Sequence, residues 1–95
     1  MITLNPKEKE TLRHVLLEYL VERIRFFFDA AAIARALPRR GYVDFNIDEA
    51  CVRDALDLLA EKGLVKSKDD ELGSTKFFRA TADGVLAEER RQVEG

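Results

Sequence analysis

The sequence predicts an α+β fold, mostly α: a three-helix core, a two-stranded β hairpin and a C-terminal helix. Three observations carry this. Val52, Ala55, Leu56 and Leu59 recur at the i, i+3, i+4, i+7 spacing of one buried helical face, and Gly63 supplies the left-handed residue that ends such a helix. Two short strand-like runs, 64–68 and 76–80, flank the turn-forming stretch Asp69-Asp-Glu-Leu-Gly-Ser-Thr75, with Gly73 available for a positive φ. Helix-start residues at Asn5, Asp29, Asn46 or Asp48, and Thr81 divide the remainder into helices.

Taken in order, residues 1–4 are expected to be a loose or lightly docked end. Asn5 can cap a helix, Pro6 suits its first position, and Glu8 completes a capping-box spacing. That helix is expected to run to about residue 26. One apolar stripe is Leu12, Leu16, Tyr19 or Leu20, and Phe27; a second is Val15, Leu17, Val21, Ile24 and Phe28. This arc is wider than one neighbouring element needs, so either helices cover it on two sides or part of it, including Leu17 and Val21, is a protein interface. Phe26-Phe-Phe28 either ends the helix or forms a very short strand. Asp29 caps a short helix, Ala30–Leu37, which Pro38 is expected to stop. A linker carrying Arg39 and Arg40 leads to the central helix, which ends near Lys62. In the hairpin, Phe77 and Phe78 must point to opposite faces. Thr81 caps a last helix through about Val93, with Val85, Leu86 and Val93 the candidates to face inward; Arg90, Arg91 and the terminal residues are expected to fray.

Residues 1–95 are expected to form one domain with a thin core. At 46% hydrophobic and 36% charged the composition is that of a globular chain. The formal net charge of −2 lacks the basic excess that accompanies bulk nucleic-acid affinity, though it leaves room for a local patch. Residues 48–63 hold five carboxylates and two cations, so the central helix is the most acidic stretch. Cys51 is the only cysteine, which precludes an internal disulfide and fits a reducing compartment. The first residues lack the form of a signal peptide, and no run is long enough to span a membrane. A cytoplasmic location is the expectation.

The order helix, short helix, linker, helix, hairpin, helix resembles a winged helix-turn-helix domain. The likeness is carried by Ala31-Ala-Ile-Ala-Arg-Ala-Leu37, by Val52-Arg53 with Ala55-Leu56, Leu59 and Glu61-Lys-Gly-Leu-Val65, and by Phe77-Phe-Arg-Ala-Thr81 with Gly84. These are similar to the V-R-x-A-L-x-x-L-x-x-x-G-L-V block and the aromatic-pair, T-x-x-G wing ending of GntR-like, MarR-like and PadR-like bacterial repressors. The resemblance implies a winged-helix transcriptional regulator that binds double-stranded DNA as a homodimer, its central helix in the major groove and its wing on the neighbouring backbone. Carried over by position, Glu49, Ala50, Cys51, Arg53, Asp54 and Asp57 face the groove, and Lys66, Lys68 and Lys76 form the wing contacts. With Arg39, Arg40 and Arg79, the candidate DNA-binding set is Arg39, Arg40, Arg53, Lys66, Lys68, Lys76 and Arg79. The reading requires these cations to gather on one face.

Two features depart from the repressor pattern. The groove-facing set is acidic, and Arg53 has Glu49 four residues before it and Asp57 four after it. The linker from Pro38 to Ile47 is also longer than the three or four residues of a tight helix-turn-helix. These favour a second reading, a protein-interaction module, either an assembly subunit or a prophage-type product, docking through Glu49, Asp54, Asp57, Leu17 and Val21. An enzyme is not expected, since the chain has no phosphate-cradling glycine loop, no nucleophile beside a histidine and no metal-ligand cluster. No cofactor, metal or small-molecule substrate is expected. His14 reads as solvated surface; Cys51 reads as a small buried hydrophobe or, alternatively, a redox-sensing thiol at a helix start.

Overall fold

A computed structural model describes residues 2–94; Met1 and Gly95, with the expectations that touch them, lie outside the described residues. Seven elements follow one another: α1 (Pro6–Glu22), β1 (Phe28–Asp29), α2 (Ala30–Arg39), α3 (Glu49–Glu61), β2 (Val65–Asp69), β3 (Lys76–Ala80) and α4 (Ala82–Glu94). The sheet has three strands, not two, in the order β1-β3-β2, antiparallel throughout. The core gathers Leu12, Leu16 and Leu20 of α1, Ile33 and Leu37 of α2, Val52, Leu56 and Leu59 of α3, and Val65, Phe78 and Ala80 of the sheet. The spacing-derived stripe of α3 is buried as expected, Ala55 included.

The helix starts follow local chemistry. Asn5 and Glu8 form the reciprocal capping box, Asp29 accepts from Ala32 N, and Asp48, rather than Asn46, caps α3. The stops of α1 and α2 needed more than local signals, whereas α3 stops at Gly63 as expected. α1 ends at Glu22, short of residue 26, because the chain must turn there to lay Phe28 beside Phe78 and set its ring edge-on to Tyr19 at 5.5 Å. α2 runs one residue past Pro38 to Arg39. The missing proline donor falls in the last turn, and that turn is closed by Gly41 N to Pro38 O and Tyr42 N to Leu37 O, a Schellman cap with Gly41 at φ 80°. The end of α3 repeats it, with Gly63 at φ 75° donating to Ala60 O and Leu64 donating to Leu59 O. Gly73, a candidate for positive φ, does not adopt it.

One further expectation is decided between its alternatives and two are corrected. Residues 2–4 are docked: Leu4 is buried, and Ile2 N donates to the Asp48 carboxylate. On α4, Leu86 and Val93 are exposed, while Gly84 and Glu88 face inward. The reason is the close approach of α4 to the turn between α3 and β2: a Cβ on Gly84 would sit 2.1 Å from Leu64 O. Arg91 is held rather than frayed, pairing with Glu88 at 2.6 Å and Glu18 at 3.7 Å.

Candidate nucleic-acid interface

Antiparallel pairing places residues directly opposite one another on the same face, and side chains alternate along each strand. The pairs Lys66–Arg79 and Lys68–Phe77 therefore share one face. This is the outer face, because the pairs Val65–Ala80 and Ser67–Phe78 define the face turned to the core. The side chains agree. Lys68 Nζ lies 4.4 Å from the centroid of the Phe27 ring and Arg79 Cζ lies 5.2 Å from it. Phe27 is half-buried beneath these two cations, while its neighbour Phe26 is 61% exposed.

The seven candidate cations do not form a single rim. Lys66, Lys68 and Arg79 share the outer face of the sheet. Lys76 pairs with Asp69 and belongs to the opposite face. Arg53 lies toward that opposite face, its guanidinium 5.8 Å from the Phe78 ring centroid, with Nε bridging to Asp57 at 3.6 Å. Glu49, four residues before Arg53, makes no ion pair with it, so the offset comes from one side only. Arg39 and Arg40 are exposed at the end of α2, where Arg40 lines a shallow cleft with Glu18, Arg23, Gly41 and Tyr42.

The exposed side of α3 presents Glu49, Ala50, Asp54 and Asp57, with Arg53 half-buried. Its N-terminus is tied down. Asp48 Oδ1 accepts from Cys51 N at 2.9 Å and Oδ2 accepts from Ile2 N at 3.3 Å. These bonds, the one from Cys51 first, hold the Asp48 carboxyl below the usual carboxylate range. Burial pushes the Cys51 thiol up, which disfavours the reactive thiolate and supports packing over sensing. Of the proposed protein-interface residues, Leu17 is corrected: it is buried in the core, its Cδ1 near Gly84. Val21 is half-buried and packs against the same core. The wide apolar arc of α1 is thus covered within the chain by α3, α4 and the sheet. Among the described residues no group of three or more potential metal ligands comes together, and no helix is long and apolar enough to cross a membrane.

Three aromatics in a row require that at least one be covered by another part of the chain, but their spacing does not say that the basic strands cover Phe27. The alternations Lys66-x-Lys68 and Phe77-x-Arg79 were legible, but nothing local revealed that Phe27 would be drawn beneath them by β1 pairing.

Three helices, a short strand leading into the second, a two-stranded wing and a closing helix define a winged-helix fold. Solved structures agree. A transcriptional regulator from Clostridium thermocellum is 17% identical with a TM-score of 0.76, the match covering 98% of this chain and 87% of that one. A PadR family transcription regulator from Clostridium difficile is 21% identical with a TM-score of 0.68, over 87% of this chain and 84% of that one. ZitR from Lactococcus lactis, as a mutant in apo form, is 21% identical with a TM-score of 0.66, over 93% of this chain. The chain spans 59% of the length of that ZitR. At these identities the likeness is one of fold. No protein-family model matches the chain, and no curated protein matches its sequence.

Proposed function

We propose that this protein is a small DNA-binding transcriptional regulator of the winged-helix type, acting in the cytoplasm on double-stranded DNA as a homodimer. The seven candidate cations do not gather on one face, so the reading is carried by the fold itself, with three of them, Lys66, Lys68 and Arg79, together on the outer face of the wing. Lys66, Lys68, Lys76 and Arg79 make no ion pair among the described residues, so their charge is available to phosphates. Solved transcriptional regulators share the architecture over nearly the whole of this chain. The reading needs no cofactor and no catalytic step. Fluorescence-anisotropy titration with a mixed-sequence duplex at low salt is expected to show binding that weakens linearly in log–log terms as salt rises, the signature of counterion release. Absence of binding at low salt would remove the regulator reading.

A protein-docking module is the second reading, and one observation favours it: the exposed side of α3 offers Glu49, Asp54 and Asp57, while Arg53 is engaged by Asp57. Like charges facing phosphates cost about 1 kcal/mol per close pair even in a water-like medium. This reading predicts a basic protein partner whose association is lost on charge reversal at Glu49, Asp54 and Asp57 and is indifferent to DNA.

A further inference from the structure

We infer that the outer face of the sheet, rather than α3, holds the phosphate backbone of duplex DNA, through Lys66, Lys68 and Arg79 arranged around Phe27. The inference rests on the DNA-binding reading and says which surface performs it.

The two exposed surfaces have opposite chemistry. On α3, four carboxylates are exposed, Glu49, Asp54, Asp57 and Glu61, and the one arginine is bridged to Asp57. On the outer sheet face, strand register brings three cations together. Asp29 sits opposite Phe77 and caps α2 through Ala32 N at 2.9 Å, without forming an ion pair with these cations. Asp69 belongs to the other face, and Asp70 Oδ1 accepts from Leu72 N in the hairpin turn. None of the three cations is engaged in an ion pair among the described residues, while the chain as a whole is negative.

Their geometry suits a polyanion. Lys66 and Lys68 are two residues apart on an extended strand, about 7 Å along the strand axis, and Arg79 lies beside Lys66 on the adjacent strand. Lys68 and Arg79 rest on the Phe27 ring. That contact restricts long side chains that would otherwise lose more rotamer freedom on binding. Arg79 makes no ion pair among the described residues, so no carboxylate of the protein is paired with its guanidinium. Phe26, 61% exposed at the border of this face, adds apolar contact area for sugars. Contacts of this kind position a duplex without reading its bases, so the affinity they supply is largely indifferent to sequence.

The test compares surfaces in one protein. With roughly 0.9 counterion released per phosphate contact, three contacts weaken wild-type binding roughly 40-fold between about 50 and about 200 mM salt. The triple variant Lys66→Gln, Lys68→Gln, Arg79→Gln is expected to lower affinity at least tenfold at low salt and to flatten the salt slope by roughly 3. Arg53→Gln, and separately Asp54→Asn with Asp57→Asn, are expected to leave affinity within about twofold. The double variant Lys66→Gln, Lys68→Gln, exposed on both counts, guards against misfolding and should flatten the slope by roughly 2. Wild-type binding that survives the sheet substitutions, or that falls as far with Arg53→Gln, overturns this inference alone. Wild-type protein that binds no duplex overturns the regulator reading itself.

Discussion

Thr81, Gly63 and Gly84 join two distant parts of the sequence. Thr81 Oγ1 donates to Gly63 O at 2.7 Å and accepts from Gly84 N at 3.0 Å, while Thr81 N donates to Leu64 O. The end of α3 and the start of α4 are thereby bolted to the same backbone turn. Gly84 is required there for a steric reason. A Cβ would meet Leu64 O at 2.1 Å and Leu17 Cδ1 at 3.3 Å. Alanine would gain about 1 kcal/mol of helix propensity, but the carbonyl it strikes cannot move without loosening its bond to Thr81. Overpacking of this kind costs about 1–3 kcal/mol or more. Gly84→Ala is therefore expected to be destabilised on balance, by about 1–2 kcal/mol, in urea or thermal unfolding.

At the scale of elements, the start of α3 depends on a contact from the other end of the sequence. Asp48 caps α3 with one oxygen and takes Ile2 N with the other. Because its folded-state pKa lies below the ordinary value, it contributes stability that is complete above the unfolded-state pKa and is lost as pH falls through the folded one. Asp48→Asn keeps one acceptor for the cap but cannot also accept from Ile2. Its melting temperature is expected to fall by a few degrees at pH 7, and the difference from wild type is expected to shrink as pH is lowered below about 4. Thermal melts across that range check this. Helix α4 carries the opposite lesson. Its three apolar residues Val85, Leu86 and Val93 suggested the inward face, yet the close contact at Gly84 and the buried Glu88 set the rotation of the helix. Glu88 is admitted to the interior because Arg91 and Gln92 donate to it. Propensity and spacing place a helix in the chain, while its rotation is set by whichever neighbour approaches most closely.

For the whole molecule, this rotation leaves Leu86 and Val93, seven residues apart on α4, exposed at 53% and 87%. With Phe26 and Leu72 they are the large apolar side chains left exposed among the described residues, and, as the two on one helix, they are the pair we propose for the homodimer contact in place of Leu17 and Val21. Sedimentation is expected to show a dimer of the 10.8 kDa chain. Leu86→Ser with Val93→Ser is expected to yield the monomer with its fold retained in circular dichroism, since surface changes away from the core alter stability by about 0.5 kcal/mol or less.

The sequence by itself determined the starts of α1, α2 and α4, the buried stripe of α3, the hairpin and their winged-helix order. Each follows from bonds and periodicities spanning only a few residues, such as Asp29 to Ala32 N or Val52 to Leu59. Tertiary structure alone decided the early end of α1, the third strand, the burial of Leu17 and the division of seven cations among three places. Those outcomes depend on which distant backbone comes closest, Phe78 beside Phe28 and Leu64 beneath Gly84, and sterics at such contacts outweigh the weak local preferences that the spacing of residues can express.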